Sequence, residues 1–419
     1  MTDTAFKSDF LKTLRDRGYI HQITHPAELD AAASSGVIAA YIGFDATAPS
    51  LHVGSLIQIM MLRRLQQTGH KPIVLMGGGT TKVGDPTGKD ASRPQLTDAL
   101  IQANIASIKT VFAKFLTFGD GPTDAVMVDN DEWLSRFGYV EFLRDFGTQF
   151  TVNRMLAFDS VKLRLEREQP MTFLEFNYML MQSVDFLELN RRLNVTMQMG
   201  GSDQWGNIVS GVDLVRRNEG RTAFGLTTPL LTTASGGKMG KTAQGAVWLN
   251  ADQLSPYDYW QFWRNVDDAD VGRFLRLFTD VPLDEIARLE TLDGAGINDA
   301  KKALADAATT LLHGADEAAK ARSKSEASFE RGDTSVLDVV DFDWSGGQDW
   351  VVRTPESLVH AAGISSMKDA KRSIANHEIK INGVLVDGNE RYVREDIDPQ
   401  TGAFLVQKGK KTSKLVRPT

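Results

Sequence analysis

A pattern of strand, helix and strand between residues 37 and 79 constrains the fold more than any other feature. Residues 37–42 are apolar and predict a buried strand, and residues 56–67, rich in Leu, Met, Gln and Arg, predict a helix that ends at Gly69. A second apolar run, residues 72–76, leads into three glycines. Strands joined through a helix run parallel, so the pattern predicts an α/β fold with a parallel sheet.

The turn between the first strand and the helix carries a candidate ligand site. Pro49 and Ser50 are typical helix-start residues, which puts His52 and Gly54 at or just inside the helix N-terminus. Open α/β sheets bind ligands at the carboxyl ends of their strands, and helix N-termini attract phosphate. The same pattern also fits an ordinary strand-to-helix turn with an incidental histidine.

Composition places the chain among globular proteins of two or three domains. It has 419 residues, 42% hydrophobic and 24% charged, and no apolar run long enough to span a membrane. The absence of Cys excludes disulfides, thiolate zinc sites and cysteine nucleophiles, and the N-terminus lacks the regions of a signal peptide, so we expect a cytoplasmic protein. The net charge is −7, but residues 354–419 hold 11 Lys+Arg against 8 Asp+Glu, a local surplus that indicates nucleic acid.

Two common phosphate-binding motifs fail on their spacing. A P-loop requires four residues between its first glycine and Gly-Lys, whereas three separate Gly84 from Gly88, and Asp90 stands where Ser or Thr is required. A dinucleotide fingerprint that starts at Gly77 would need glycine where Lys82 stands. GTPase and NAD-dependent dehydrogenase functions are therefore set aside.

Helical patterns dominate residues 133–190, a candidate insertion that can supply an oligomer interface as well as a core. Within it, Tyr178, Gln182 and Asp185 have the helical spacing i, i+4 and i+7 and share one face. A polar stripe usually faces solvent, but the surrounding Met, Leu, Val and Phe residues leave little room for that. A bound polar ligand is the alternative.

Two glycine-rich turns follow this insertion. Residues 195–199 predict a strand, and Gly-Gly-Ser-Asp-Gln-Trp-Gly-Asn at 200–207 links it to a helix. Lys238 and Lys241 flank a glycine in a second glycine-rich loop that ends at Thr242. A solvated hairpin tip is the simpler interpretation of the lysine loop taken alone.

The C-terminal part divides into three segments. Residues 251–330 are helix-rich, 331–353 have the Gly, Asp and Ser of a linker, and 354–419 predict a compact domain of two helices and three short strands with a basic tail. Two basic clusters on this domain favour RNA binding over a merely solvated surface. They comprise Lys368, Lys371 and Arg372 on the second helix, and Lys408, Lys410, Lys411, Lys414 and Arg417 near the end.

The order of these motifs resembles that of the class I aminoacyl-tRNA synthetases, and most closely the bacterial tyrosyl-tRNA synthetases. The resemblance rests on Tyr-x-Gly-Phe-Asp-x-Thr-Ala-x-Ser-Leu-His-x-Gly at 41–54, Gly-Asp-Pro-x-Gly-Lys at 84–89, Glu-Phe-x-Tyr-Met-x-x-Gln-x-x-Asp at 175–185, and the turn at 200–207. It implies a Rossmann-like catalytic domain at 1–250 with a helical insertion at about 133–190, an α-helical anticodon-side domain at 251–330, a linker at 331–353, and a ribosomal S-four-type α+β RNA-binding domain at 354–419.

The resemblance also implies a role for each matching residue. Tyr41 and Asp185 would hydrogen-bond the phenol of the substrate tyrosine. Asp85, Tyr178 and Gln182 would hold its ammonium group, with Gln204 close by. ATP would be held by Asp45, Gly54, Ser55, Gly201, Asp203 and Lys241. The catalytic groups that act on its phosphates would be Thr47, His52, Lys89, Arg93, Lys238, Lys241 and Thr242.

One position departs from the family pattern. The signature His-x-Gly-His ends here in Ser55, which we keep among the ATP-binding residues because a serine hydroxyl can still hydrogen-bond a ribose. The implied reaction joins L-tyrosine to ATP, with Mg²⁺ carried on ATP rather than in a protein metal site, and then charges the 3′ end of tRNA(Tyr). The implied assembly is a homodimer without membrane contact.

Three other functions are alternatives. A tryptophanyl-tRNA synthetase shares the fold but ordinarily lacks the C-terminal RNA-binding domain and has no use for a Tyr41–Asp185 pair. A small-molecule nucleotidyltransferase uses a similar histidine turn and would not charge tRNA. A non-catalytic RNA-binding protein built on a decayed synthetase is suggested by Ser55, whereas His52 and the loop lysines oppose it.

Overall fold

The chain divides into two compact units. The computed structural model describes residues 5–86, 95–234, 236, 239–242, 245–327, 333, 337–343, 353–409 and 412–419, with the backbone alone at 159–160, 241–242 and 245. Unit 1 comprises Met1–Met239 and Gly272–Arg288, and unit 2 comprises Gly240–Val271 and Leu289–Thr419. Within the described ranges, no helix is both long enough and apolar enough to cross a membrane.

A six-stranded sheet organises unit 1. Its strands are β1 (Gln22–Ile23), β2 (Ala39–Phe44), β3 (Lys71–Met76), β4 (Val126–Asp129), β5 (Met197–Gly201) and β6 (Phe224–Thr228). Their order is β1-β6-β5-β2-β3-β4, and every neighbouring pair is parallel except β1 with β6, so the predicted parallel α/β sheet is confirmed. The chain builds β3 and β4 on one side of β2 and then β5 and β6 on the other. The order therefore reverses between β2 and β5, where open α/β sheets form their ligand crevice.

Helices connect and cover these strands. Those before the lysine loop are α1 (Asp9–Asp16), α2 (Pro26–Ser35), α3 (Val53–Gln67), α4 (Gly78–Thr81), α5 (Asp98–Phe115), α6 (Asp131–Leu134), α7 (Tyr139–Asp145), α8 (Val152–Leu156), α9 (Asp159–Glu166), α10 (Phe173–Phe176), α11 (Tyr178–Leu193) and α12 (Trp205–Glu219). Helices α6–α11 occupy the stretch for which the sequence predicts a helical insertion. The predicted shared face of Tyr178, Gln182 and Asp185 lies on α11.

Helix α3 begins at Val53, after the turn that contains Pro49 and Ser50. Its N-cap is His52, whose Nδ1 accepts the backbone N–H of Gly54 at 2.9 Å. The predicted place of His52 and Gly54 at the helix N-terminus is confirmed, although Pro49 and Ser50 lie before the cap. The physical reason is that an imidazole nitrogen takes the capping role that Ser, Thr, Asp or Asn usually fills.

The core of unit 1 extends to the edge where the crevice lies. The Tyr41 ring of β2 packs edge-to-face on Phe186 of α11, with ring centroids 5.3 Å apart. Trp133 and Val184 belong to the same buried cluster. Each such buried side chain contributes roughly 1.5–3 kcal/mol of hydrophobic stabilisation. This packing fixes α11 against the sheet.

Residues 272–288 return to unit 1, and two arginines of α3 hold them there. Arg63 and Arg64 both contact the Asp280 carboxylate at 2.5 Å. Burial would raise the pKa of Asp280, but the hydrogen bonds and charges of these arginines lower it to about 2. Unit 1 consequently gains 272–288 and lacks 240–250, so its extent differs from the predicted domain at 1–250.

A group of helices and a second sheet form unit 2. The helices after the lysine loop, two of which largely return to unit 1, are α13 (Pro256–Arg264), α14 (Val271–Phe278), α15 (Leu283–Glu290), α16 (Ile297–His313), α17 (Ala315–Ser325), α18 (Pro355–Ala361) and α19 (Met367–Ala375). Helix α13 buries Tyr259, Trp260 and Trp263, and Trp260 Nε1 donates to Asp306 of α16 at 2.8 Å.

The strands of unit 2 are β7 (Lys241–Thr242), β8 (Gly245–Ala246), β9 (Val339–Phe342), β10 (Ile379–Ile381), β11 (Val384–Leu385), β12 (Phe404–Lys408) and β13 (Thr412–Pro418). Strands β7 and β8 form an antiparallel pair, and the other five form a sheet of order β11-β10-β12-β13-β9. Strand β9 lies inside the predicted linker at 331–353, and residues 412–418 of the predicted basic tail form strand β13. Both follow from the buried Leu415 and Val416, which make residues 412–418 a strand with partners on both edges.

Candidate active site

Two turns meet at the carboxyl ends of β2 and β5. Asp45 follows β2, and Gly201 ends β5 before a single 3₁₀ turn, Ser202–Gln204, leads into α12. Because β2 and β5 are neighbours where the strand order reverses, both turns line one crevice of unit 1.

A buried hydroxyl and a buried carboxylate form one end of this crevice. Tyr41 is fully buried, and its hydroxyl has no hydrogen-bond partner among the residues that the structure describes. The Asp185 carboxylate, 2% exposed, accepts from Asn130 Nδ2 at 2.9 Å and from Trp133 Nε1 at 2.8 Å. An unmade hydrogen bond at a buried hydroxyl costs about 1–3 kcal/mol, so this end is suited to a polar ligand.

The electrostatics of this pair follow from burial. Burial raises the pKa of Asp185 to about 7, although its two hydrogen bonds favour the ionised form. Burial, and then the Asp185 charge, raise the pKa of Tyr41 well above its usual value. Tyr41 therefore remains a neutral hydrogen-bond donor, and Asp185 is an acceptor once it is ionised.

A second carboxylate, Asp45, is held from two sides. Its Oδ1 accepts from Thr80 Oγ1 at 2.9 Å, and its Oδ2 accepts from the Tyr178 hydroxyl at 3.2 Å. Burial, followed by the charge of Asp45, raises the pKa of Tyr178, so this hydroxyl stays protonated and donates. The two bonds fix the orientation of Asp45 after β2.

A cluster of amides lies around Gln204. Gln204 Nε2 donates to Asp85 Oδ2 at 3.0 Å, and Gln204 Oε1 accepts from Gln182 Nε2 at 3.2 Å. Asn207 Nδ2 donates to Gln182 Oε1 at 2.8 Å. The cluster presents carboxylate and amide oxygens, which are the acceptors that an ammonium group requires.

The N-terminus of α3 provides a different kind of surface. A Cβ on Gly54 would come within 2.6 Å of His52 Cε1, and one on Gly201 within 2.5 Å of Asp203 Oδ1. Both positions need glycine to keep the neighbouring polar side chain in place. The Ser55 N–H donates to the His52 carbonyl at 2.8 Å in the first turn of this helix. The N–H groups and dipole of a helix N-terminus favour phosphate.

The structure brings some of the predicted site residues together. Two hydrogen-bonded groups of unit 1 contain Tyr178, Asp45, Asp185, Asp85, Gln182 and Gln204. Thr47 and Asp203 are exposed in the turns after β2 and β5. The predicted residues outside the described ranges are Lys89, Arg93, Lys238, Lys410 and Lys411.

The remaining predicted residues lie in unit 2. Lys241 and Thr242 form β7, and only their backbone is described. Lys368, Lys371 and Arg372 are exposed on α19, where Arg372 pairs with Asp369 at 2.9 Å. The structure also describes Lys408, Lys414 and Arg417: Lys408 Nζ donates to Ser365 Oγ at 3.2 Å, and Arg417 pairs with Asp341.

Four residues of the site escaped sequence analysis. Asn130 and Trp133 orient Asp185, Thr80 orients Asp45, and Asn207 holds Gln182. A signal existed for Asn130, because it comes directly after β4, whose carboxyl end lies on the same edge of the sheet as that of β2.

Known proteins resemble this chain over most of its length. The profile of the family described as tRNA synthetases class I (W and Y) matches residues 33–330. A tyrosine–tRNA ligase of Caulobacter sp. is 68% identical over 415 residues, 99% of each chain. The corresponding protein of Rhodospirillum rubrum is 57% identical over 416 residues, again 99% of each chain.

Solved structures show the same relationship. A C-terminally truncated mitochondrial tyrosyl-tRNA synthetase of Aspergillus nidulans superimposes with a TM-score of 0.69 at 32% identity, over 77% of this chain and 94% of that one. A tyrosyl-tRNA synthetase of Archaeoglobus fulgidus shares the fold, with a TM-score of 0.56 at 20% identity, over 75% of this chain and 99% of its own. The chain therefore belongs to the class I tRNA synthetases, within the family of bacterial tyrosine–tRNA ligases.

Proposed function

We propose that the crevice of unit 1 activates L-tyrosine with ATP and that the tyrosyl group then passes to the 3′ end of tRNA(Tyr). The observation that carries this assignment is the buried Tyr41 hydroxyl, which has no hydrogen-bond partner in the described part of the chain. Burial, and then the charge of Asp185, raise the pKa of this hydroxyl. A substrate phenol would accept a hydrogen bond from Tyr41 and donate one to Asp185. Phenylalanine and tryptophan offer no group that does both.

The amide and carboxylate groups at the other end suit the α-ammonium of the amino acid. Asp85, Tyr178 and Gln182 would surround it, with Gln204 close by. An amino acid held at its phenol and its ammonium group has little freedom left, so its carboxylate is directed at the nucleotide. Such positioning accounts for much of the rate that an enzyme of this type can supply.

The first reaction requires no general base. The tyrosine carboxylate, already ionised, attacks the α-phosphate of ATP, the bond to the bridging oxygen breaks, and pyrophosphate leaves. His52 Nδ1 accepts the Gly54 N–H, so a neutral His52 ring carries its hydrogen on Nε2 and can donate to a phosphate oxygen. Charge that grows on the phosphates is then met by His52, Thr47 and the N-terminus of α3.

Cations neutralise the leaving pyrophosphate in this proposal. Lys241, with Lys89, Arg93 and Lys238, would supply that charge from the two loops, and the Thr242 hydroxyl would donate a hydrogen bond. Mg²⁺ would arrive with ATP as part of the substrate, because it retains most of its water and binds phosphate oxygens readily. Asp45 and Gly54 would contact ATP, and Gly201, Asp203 and Ser55 would take its ribose.

Unit 2 is proposed to bind tRNA, and charging is proposed to take place in the cytoplasm, where translation uses its product. The exposed Lys368, Lys371 and Arg372 give α19 a basic surface, and Lys408, Lys414 and Arg417 of β12 and β13 add positive charge to the same unit. Lysine and arginine contacts of this kind neutralise backbone phosphates, so tRNA binding should weaken as salt concentration rises.

A homodimer is proposed through the helical insertion. Tyr139 and Phe173 expose 66% and 65% of their surface, and Leu174 exposes 44%. Together with Phe137 and Phe142 they border an apolar cavity of about 510 Å³. Contiguous apolar surface of this kind marks an interaction site, and a second copy of the chain would cover it.

ATP–pyrophosphate exchange tests the activation step directly. We expect exchange with L-tyrosine and none above background with L-tryptophan, measured on the full-length chain with each amino acid in turn. Exchange that depends on tryptophan, or on no amino acid, would contradict the proposal.

A further inference from the structure

A chain of hydrogen bonds runs between the two carboxylates of the crevice. Asn130 Nδ2 donates to Asp185 Oδ2 at 2.9 Å and to Thr80 Oγ1 at 3.0 Å. Thr80 Oγ1 in turn donates to Asp45 Oδ1 at 2.9 Å. Asn130 and Thr80 are only 1% and 3% exposed, so water competes little for these bonds. The chain links the phenol end of the crevice to Asp45, which follows β2.

Each link in this chain has a single possible direction. Asn130 Oδ1 accepts the backbone N–H of Gly79 at 2.8 Å, which identifies the other amide atom as the nitrogen. That nitrogen donates to Thr80, so the one hydroxyl hydrogen of Thr80 goes to the Asp45 carboxylate. The threonine hydroxyl accepts on one side and donates on the other, and therefore connects both halves.

The glycine-rich turn before this threonine is shaped around the link. A Cβ on Gly77 would come within 2.4 Å of both Asp45 Oδ1 and Thr80 Oγ1. The φ of Gly77 is −86°, which any residue can adopt. Glycine is therefore required here for steric reasons, because a side chain would collide with the Thr80–Asp45 hydrogen bond.

We propose that Thr80 is a positioning residue that sets selectivity for tyrosine over phenylalanine by acting through Asn130 on Asp185. The inference rests on the proposed role of Asp185 in binding the phenol. Without the threonine hydroxyl, Asn130 loses an anchor and holds Asp185 Oδ2 less firmly. Tyrosine then loses part of a hydrogen bond that phenylalanine never makes. Asp45 loses a donor as well, which slows the activation of both amino acids alike.

The test compares Thr80→Val with Thr80→Ser in ATP–pyrophosphate exchange by the full-length chain, with L-tyrosine and with L-phenylalanine. We expect Thr80→Val to lower kcat/KM about tenfold more for tyrosine than for phenylalanine. Thr80→Ser retains the hydroxyl, so its tyrosine-to-phenylalanine ratio should stay within about threefold of the wild-type ratio.

Thr81→Val is the matched control. The Thr81 hydroxyl accepts the backbone N–H of Ala46 at 2.8 Å and contacts neither carboxylate in the crevice, so the ratio should not change. If Thr80→Val does not fold, Gly77→Ala takes its place, because it drives the hydroxyl and Asp45 apart and should lower the same ratio.

Three outcomes overturn the inference. An unchanged ratio in a folded Thr80→Val or Gly77→Ala variant would leave the phenol-binding pair intact and remove the role of Thr80. An equal fall in Thr81→Val would mean that any loosening of this turn reduces selectivity. Equal activation of tyrosine and phenylalanine by the wild type would overturn the phenol-binding assignment together with the inference.

Discussion

At the scale of single residues, the crevice combines groups that would each be unfavourable alone. Asp185 is a buried carboxylate, and Tyr41 is a buried hydroxyl without a partner among the described residues. Burial of such groups costs free energy that only a complementary ligand restores. That cost is what allows a site to distinguish two substrates that differ by one oxygen atom.

The ionisation of Asp185 should appear in the pH dependence of activation. Below about pH 7 this carboxyl is protonated and cannot accept the phenol hydrogen, because its pKa is raised to about 7. We therefore expect kcat/KM for tyrosine to rise about tenfold per pH unit and to level off above about pH 7, since this parameter reports the free enzyme.

Phenylalanine provides the control for this pH profile. Phenylalanine has no hydroxyl to donate to Asp185, so its kcat/KM should lack the step near pH 7. The comparison is made by pyrophosphate exchange between about pH 5.5 and pH 8.5. A tyrosine profile without the step would refute the role of Asp185 as acceptor.

Some of these site residues can be identified from the sequence, and others cannot. Tyr41, Asp45 and Asp185 lie in ordered motifs, so a resemblance can assign them roles. Asn130 and Thr80 make their contacts across about 50 positions of the chain, with partners that only the folded sheet brings near. Asn130 could be placed near the crevice by its position after β4, but the sequence does not show which side chains Asn130 and Thr80 contact, so the chain of hydrogen bonds could not be predicted.

At the scale of elements, α3 shows how a helix end becomes part of the site. The helix is capped by a histidine, whose Nδ1 accepts the backbone N–H of Gly54. Strand, helix and strand are predictable because their apolar patterns are strong. The first residue of the helix could not be predicted, because a histidine nitrogen, an uncommon acceptor, caps it.

Gly54→Ala should damage both the cap and the chemistry. The added Cβ would lie 2.6 Å from His52 Cε1, so the imidazole must leave its position. We expect a loss of about 1 kcal/mol of stability and a fall of at least tenfold, roughly, in pyrophosphate exchange, measured with thermal unfolding beside the assay.

Gly36→Ala is the matched change for this prediction. Gly36 ends α2 with φ −178°, and a Cβ there meets nothing within 4 Å. It should leave exchange unchanged. Wild-type activity in Gly54→Ala would show that His52 does not need its observed place.

At the scale of the whole molecule, the chain crosses between its units more often than its sequence suggests. Residues 272–288 rejoin unit 1 after 32 residues of unit 2, held by the ion pairs of Arg63 and Arg64 with Asp280. Composition gives no sign of this return, because the pairs join residues more than 200 positions apart. Strand β9 escaped prediction for a related reason, since its partner is the last strand of the chain.

The proposed homodimer gives a prediction at this scale. Phe173→Asp places a charge on the exposed apolar surface of the insertion and should convert dimers into monomers in sedimentation velocity. Val384→Asp, at a residue of unit 2 that is 66% exposed, is the control and should not change the sedimentation coefficient. A dimer that persists in Phe173→Asp would argue against this surface.

The central claim is that Tyr41 and Asp185 recognise the phenol of the substrate by hydrogen bonds. The variant Tyr41→Phe tests it most directly. The measurement is the ratio of kcat/KM for tyrosine to kcat/KM for phenylalanine in pyrophosphate exchange. We expect Tyr41→Phe to lower this ratio about tenfold or more, because a buried donor to the phenol is lost. Tyr178→Phe, which removes a hydroxyl at the ammonium end, should slow both amino acids and leave the ratio unchanged. An unchanged ratio in Tyr41→Phe would contradict the account.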